Sequence, residues 1–338
     1  RLDYRPPYEW TQLLAFLRLR AIPGVEVVDA DVYRRTVRIG ALSGSLEVRQ
    51  APGRPSLLLA VSPSLTPVLM PLVARARRMF DVDARPDVIA DVLRRDELLA
   101  PLVAVRPGLR LPGAIDPFEA AIRALLGQQV SVAAATTLAG RFAAAFGGRY
   151  AGCDGLAVVF PTAAEVAAVT PAAIAAIGLP AARAAAIHGF ATALATNRLA
   201  LDGELETFVA RAVALPGVGP WTAHYLAMRA LHLPDAFPAA DLGIKKALAA
   251  TPRECEARAE AWRPFRSYAV IHLWTSLGGS DARDEDHVVP RRPAVSRGAR
   301  RSADRPLLAR ARAAERSAGA RRARARRDRA AARGVLRR

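Results

Sequence analysis

Cysteine is nearly absent from this 338-residue chain. Cys153 and Cys255 stand 102 positions apart with no ligand spacing around either, so the sequence offers neither a disulfide framework nor a zinc site. The five histidines, His188, His224, His232, His272 and His287, are scattered, and no transition-metal site is expected from them. No apolar run reaches the roughly 18 residues a membrane span requires, and Arg1-Leu2-Asp3 does not open a signal peptide. A reducing cytoplasm is therefore the expected compartment, with no membrane partner. The first residue is Arg, not Met, as in a trimmed or excised chain. Aromatic residues are few, at 6%, and lysine occurs only as Lys245 and Lys246.

Acidic residues are outnumbered, and the net charge is +18. Such a balance is a nucleic-acid signature, but its location matters more than its size. Between Ser280 and Arg338 there are 19 Arg and 7 acidic residues, so +12 of the charge lies there and +6 on residues 1–279. This tail holds no aromatics and cannot easily bury a core, which predicts disorder over 280–338. Its Arg/Ala bias fits non-specific polyanion binding or a biased codon composition equally well, and no function rests on it.

What is present is enough apolar residue, 52%, to bury real cores in about two domains. Residues 1–83 read as a small α+β unit. Trp10–Arg20 has an amphipathic helical pattern, Val25–Val28, Tyr33–Ile39, Ser45–Arg49 and Leu57–Val61 read as strands between Gly/Pro/Asp turns, and Thr66–Phe80 is apolar at helical spacing. Residues 84–279 form an all-α body, since no convincing strand pattern appears after about Asp81. Its helix starts are marked. Asp116-Pro117-Phe118-Glu119 offers an N-cap, a proline at the first helical position and a reciprocating Glu. Thr162-Ala163-Ala164-Glu165 repeats the device, and Thr170-Pro171 opens a helix that Gly178 closes. Further helices are expected over Val130–Phe146, Ala181–Thr196, Glu204–Val213, Trp221–Leu231, Leu242–Ala249 and Ser267–Ser276.

The most informative stretch is Leu215-Pro216-Gly217-Val218-Gly219-Pro220-Trp221-Thr222-Ala223, a glycine turn between helical segments that reads as a helix-hairpin-helix. Unpaired N–H groups at the start of its second helix suit a phosphate oxygen and carry no base preference. Gly-x-Gly also joins helices in loops that bind nothing. Asp241 follows 24 residues after Gly217 and just before the helix Leu242–Ala249. An Asp there is a common N-cap, and a helix N-terminus also favours the ionised carboxylate that could face a developing positive charge. Trp221 and Tyr225 lie four apart on one helix face, and Trp274 falls on the last helix. Three such rings could be ordinary core, or could hold a cationic base by stacking and cation–π attraction.

These residues resemble the AlkA-type DNA-3-methyladenine glycosylase II family of the helix-hairpin-helix-GPD superfamily. The resemblance rests on Leu215 to Tyr225, on Phe237 to Lys245, and on Trp262-Arg263-Pro264-Phe265-Arg266-Ser267-Tyr268-Ala269-Val270-Ile271-His272-Leu273-Trp274. It extends to Arg5-Pro6-Pro7-Tyr8-Glu9-Trp10, to Arg106 to Gly113, and to Ala124-Leu125-Leu126-Gly127-Gln128-Gln129-Val130-Ser131, so it covers residues 1–279 and leaves out the tail. It implies a TATA-binding-protein-like N-terminal domain followed by a helical glycosylase body. It implies a monomeric, monofunctional enzyme of base excision repair that flips alkylated bases of the 3-methyladenine type out of duplex DNA and hydrolyses the glycosidic bond, leaving an abasic site. By the resemblance Asp241 is the catalytic carboxylate, Trp221 and Trp274 flank the flipped base, and Tyr225 and Phe16 line the cleft. Gln128, Gln129, Gly217, Val218, Gly219 and Thr222 would meet DNA, and the carbonyls of Val213, Leu215 and Gly217 would hold a sodium or potassium ion, with no other cofactor required.

Two positions depart from the family pattern. Gln129 stands where the family wedge is a leucine, and Leu242 replaces an aromatic residue after the aspartate. Relatives that also cut the strand carry a lysine at the position that is Trp221 here, and those with an iron–sulfur cluster need four cysteines, so hydrolysis alone is expected. A non-catalytic hairpin module that binds DNA is the alternative. A methyl-transfer regulator would need a reactive cysteine motif, absent from these residues. Glycosylases of this type also occur fused behind an Ada-type module, which would lie before Arg1.

Overall fold

The computed structural model describes residues 1–152 and 155–278; Cys153 and the basic tail of 280–338, with its expected disorder, lie outside the described residues. The N-terminal unit comprises β1 Leu2–Asp3, α1 Trp10–Leu19, β2 Glu26–Val28, β3 Val32–Ile39, β4 Leu42–Gln50, β5 Ser56–Val61 and α2 Leu69–Met79. Its strands form an antiparallel sheet in the order β1-β5-β4-β3-β2. Period-2 patterning explains which face is buried. Tyr33 and Val37 of β3, Leu46 and Val48 of β4 and Leu57 of β5 pack with Trp10, Leu13, Leu14 and Leu17 of α1 and with Leu72, Ala76 and Met79 of α2. The two-residue β1 is too short to show a period and escaped the sequence pattern. The helix expected over Thr66–Phe80 begins later: a 3-10 turn spans Pro63–Val68, and α2 starts at Leu69. Pro67 lacks the amide an α-helix interior needs, so the regular ladder can form only beyond it.

The body contains α3 Pro86–Leu93, α4 Leu99–Val105, α5 Pro117–Leu126, α6 Val132–Phe146, α7 Ala163–Ala167, α8 Pro171–Ala175, α9 Ala181–Ala195, α10 Leu205–Val213, α11 Pro220–Arg229, α12 Leu242–Leu248, α13 Pro252–Ala259 and α14 Arg266–Ser276. A small hairpin of β6 Gly148–Arg149 and β7 Val158–Val159 interrupts it, so the body is helical but not free of strand. Two-residue strands give no alternation to detect. The short helices α3, α4 and α13 were likewise unassigned from the sequence, although Thr251 and Glu254 form a capping box that marks the start of α13. The box at Thr162 and Glu165 forms as expected, and Gly178 adopts φ +107 beyond α8.

At α5 only half of the expected device forms. Asp116 Oδ1 accepts from the Phe118 amide at 2.8 Å, but Glu119 does not return to the cap. Its carboxylate is buried against Arg35 of β3 and lies 3.2 Å from Arg123 Nη1. Arg35 also reaches Glu26 at 3.3 Å, and Arg123 reaches Glu26 at 2.9 Å. Two glutamates and two arginines thus join the sheet to α5 in a closed charge cluster. Burial alone would push the Glu26 carboxyl up, but Arg123, Arg35 and the Tyr33 hydroxyl outweigh it and hold it down, whereas at Glu119 burial prevails and the carboxyl is raised. The local capping signal lost to a longer-range one because a buried guanidinium without a carboxylate is costly.

His272 of α14 is 5% exposed, its Nδ1 has no partner, and burial, with Arg106 nearby, pushes the ring down to about 4. An unfolded chain protonates its histidines near pH 6.5, so between about pH 4 and 6.5 the unfolded state binds the extra proton and stability rises with pH. The contribution lost on acidification to pH 4 is on the order of 3 kcal/mol. His272→Asn is expected to flatten the dependence of the thermal midpoint on pH across that window. Identical pH slopes for variant and parent, measured by calorimetry, would exclude the assignment.

Candidate active site

The hairpin is α10, the turn 214–219 and α11. Gly217 is required twice over: its φ is +81, and a Cβ there would sit 2.4 Å from the Ala186 Cβ of α9. Gly219 differs. Its φ of −83 and ψ of 173 suit any residue, and nothing lies within 4 Å of where a Cβ would project, so its side of the turn is open to an approaching partner. Pro220 follows at the first position of α11, and the positive end of that helix faces the same opening.

Three residues assigned by resemblance to DNA contact are turned inward. Val218 is buried in the body's core and donates its amide to the Leu215 carbonyl at 3.1 Å. Thr222 is buried, and Gln128 Nε2 donates both to its Oγ1 at 3.1 Å and to the Gly217 carbonyl at 2.9 Å. These contacts lock the hairpin to the end of α5. Gln129 behaves otherwise: it is exposed at φ +57, between the Gln128 clasp and Ser131, which caps α6, and Val130 beside it is 38% exposed. A non-glycine residue held left-handed is strained, and the anchors on either side maintain it. The projecting tip is thus Gln129 with an apolar neighbour.

Asp241 caps α12, as the sequence predicted, and it does more. Its Oδ1 accepts from the Ile244 amide at 3.1 Å and from Trp274 Nε1 at 2.9 Å, while Oδ2 accepts from Trp221 Nε1 at 3.1 Å. The carboxylate is only partly buried. Both indoles present their N–H edges to it, which fixes the ring planes beside the carboxyl. Trp221 and Tyr225 stack at 5.3 Å and 26°, and Tyr225 meets Trp274 at 6.4 Å and 39°. The three rings remain partly exposed, and Leu242 beside them is 68% exposed. Among the described residues no ring contact ties Phe16 of α1 to these three; its ring lies under Arg229 of α11, whose Cζ is 4.5 Å from the centroid.

Two contributors were not read from the sequence. Gly243 follows the carboxylate, and a Cβ on it would lie 2.9 Å from Trp274 Cδ1 and 3.2 Å from Asp241 Oδ1. Its lack of a side chain lets the indole reach the acid, a requirement set by tertiary contact alone. Arg229 stands four residues after Tyr225 on α11, repeating the four-residue step from Trp221 to Tyr225. Among the described residues, no cluster of three or more His, Cys, Asp or Glu could hold a metal ion, and no helix is long and apolar enough to cross a membrane.

The chain matches two family models: the AlkA N-terminal domain over residues 1–116, and the HhH-GPD superfamily base excision DNA repair protein over residues 122–260. It is 37% identical over 280 residues to DNA-3-methyladenine glycosylase 2 of Escherichia coli, covering 82% of this chain and 97% of that one. It is 40% identical over 285 residues to a probable bifunctional transcriptional activator/DNA repair enzyme AlkA of Mycobacterium tuberculosis, again over 82% of this chain but only 56% of that one. The chain therefore spans little more than half the length of the mycobacterial relative. Among solved structures, the 3-methyladenine DNA-glycosylase of Archaeoglobus fulgidus superposes with a TM-score of 0.71 at 19% identity, over 83% of this chain and 98% of the other, a likeness of fold.

Proposed function

The chain belongs to the HhH-GPD superfamily of base excision DNA repair proteins, and from that premise we propose that it is a monofunctional glycosylase that releases alkylated bases from duplex DNA and leaves an abasic site. The observation that carries this reading is the partly exposed Asp241 carboxylate, oriented by two indole N–H groups and a helix N-terminus beside three clustered aromatic rings. An acceptor held in that way needs no reorganisation when a neighbouring sugar becomes positive.

The hairpin's open turn at Gly219 and the N-terminus of α11 grip phosphate without regard to sequence. Gln129 and Val130 fill the space that a departing nucleotide leaves, at a cost of a few kcal/mol for unstacking. The extruded base lies against Trp221, Tyr225 and Trp274, whose electron-rich faces suit a cationic purine. Its C1′–N bond then breaks, the electron pair leaves on the base, and the oxocarbenium-like sugar is opposed by Asp241. Water adds to C1′ and gives up its proton. Trp221 occupies the hairpin position where a lyase would need an amine, so no Schiff base forms.

The alkali ion implied by the resemblance fits the hairpin's donor set. Among the described residues no N–H reaches the Val213 carbonyl, and those of Leu215 and Gly217 accept one hydrogen bond each, leaving oxygen lone pairs of the kind that hard cations take. A bound ion would add positive charge facing the phosphate.

The test is release of free base from duplex DNA methylated at purines, with abasic sites scored by alkaline cleavage. Release without prior strand scission supports the reading; tight DNA binding with no release would instead leave a non-catalytic hairpin module. Gly243→Ala is expected to lower release about tenfold and to lower the melting temperature by a few degrees. The added methyl displaces Trp274 from Asp241, a bond to a charged group worth about 1.5–3 kcal/mol. An unchanged single-turnover rate would show that the indole does not need that contact.

A further inference from the structure

Arg229 is a buried cation without a counter-ion. It is 9% exposed, its Nε and Nη1 have no hydrogen-bond partner, and among the described residues no carboxylate lies within ion-pair distance of it. Its contact with Phe16 is a cation–π one, and Arg20 lies over the same ring at 3.9 Å to the centroid. Burial pulls its guanidinium down to about 10, still charged near neutrality. The fold's other buried arginines are met by oxygens: Arg35 by Glu26 and Glu119, Arg266 by Asp235 and Glu260, and Arg110 by the backbone carbonyls of Arg5, Pro7, Asp81 and Ala84. A lone buried guanidinium costs stability, and such uncompensated groups collect where function needs them.

Its position suggests that need. Trp221, Tyr225 and Arg229 recur every four residues on one face of α11, and eight helical residues span about 12 Å. Trp221 is bonded to Asp241 at one end of this row, and Arg229 with Phe16 forms the other. A nucleoside laid along the rings with its sugar at the Asp241 end would point its base toward the Arg229 end. We propose that Arg229 is a positioning charge for the leaving base: its field, opposite in sign to that of Asp241, favours movement of the bonding electron pair from the sugar onto the base. This inference rests on the glycosylase reading above.

The charge change is the same for every substrate. When the C1′–N bond breaks, a cationic alkylated base departs neutral and a neutral base departs as an anion that later takes a proton from solvent. The base loses one unit of positive charge either way, and a fixed cation at its far end stabilises that change. A cationic base also meets repulsion on entry, so for it Arg229 raises the release step while weakening binding.

The experiment compares the parent protein with Arg229→Met and Arg229→Lys on two duplex probes, one carrying cationic 7-methylguanine and one carrying neutral hypoxanthine, by single-turnover release, duplex affinity and thermal melting. Arg229→Met is expected to lose about ten- to a hundredfold in release rate on both probes, to bind the cationic probe as tightly as the parent or more so, and to melt no lower. Arg229→Lys should recover release to within about threefold of the parent. Failure of the parent itself to release either base overturns the glycosylase reading. Equal rates for parent and Arg229→Met, or loss of release that tracks a fall in melting temperature and is not rescued by Lys, overturns the role of Arg229 alone.

Discussion

Asp241→Asn is expected to bind duplex DNA within about twofold of the parent while base release falls by at least about a thousandfold. The substitution keeps shape and removes charge. Three donors converge on the two carboxylate oxygens, from Ile244, Trp274 and Trp221, and an Asn side chain has one oxygen to offer them. Its amide can keep the oxygen toward Ile244 and Trp274, but then its NH2 faces the Trp221 N–H, so one favourable contact becomes an opposed pair of donors. That costs about 1 kcal/mol of stability, the scale of one ordinary hydrogen bond. The catalytic loss is larger because the negative charge itself opposes the oxocarbenium-like sugar, and removing even one preorganised donor from such a site in other enzymes costs about 10²–10³ in rate. The hairpin that grips phosphate lies on a separate turn, so affinity should survive. Single-turnover release and a binding titration on the same methylated duplex make the comparison. Release near the parent rate would remove Asp241 from the chemistry and leave it as a helix cap.

Arg35→Leu is expected to destabilise the protein by about 3–5 kcal/mol, the usual result of removing one partner from a buried ion pair, which for a chain of this size lowers the melting temperature by roughly 10 °C. Arg35 lies between Glu26 and Glu119, and both carboxylates are buried. Without it they share Arg123 alone, and one of them must be neutralised or solvated. Arg35→Leu combined with Glu119→Leu should recover part of the loss, because the second change removes the stranded charge and adds apolar contact. Thermal melts of the parent, both single variants and the double variant close the cycle. Additive losses would mean that the cluster does not act as a unit.

Much of the site was legible before any coordinates. Four-residue spacing was enough to place Trp221 and Tyr225 on one face, and they stack. The Asp241 N-cap could be read from its place before an apolar periodic segment, and it forms. The glycine turn marked a helix-hairpin-helix, and α10 and α11 flank it. What escaped were contacts between residues far apart in the chain. Glu119 has the sequence of a capping partner yet turns to Arg35, 84 positions away. Gln128 follows the end of α5 in the chain, yet its amide is committed to the Gly217 carbonyl and the Thr222 hydroxyl, 89 and 94 positions away. The glycine requirement at Gly243 comes from Trp274, 31 positions on, and no local pattern carries it.

The order of sheet unit and helical body, the hairpin, the capped acid and the aromatic face follow from the sequence, because each depends on periodicity or capping within one or two turns of chain. The tertiary structure alone decided that both indole nitrogens close on Asp241, that a ring of four charges, three of them buried, joins the sheet to α5, and that among the described residues the buried Arg229 has no carboxylate partner. Those outcomes depend on which distant groups exclude water from one another, and the energy of a buried charge is set by that surrounding volume and not by its neighbours in sequence.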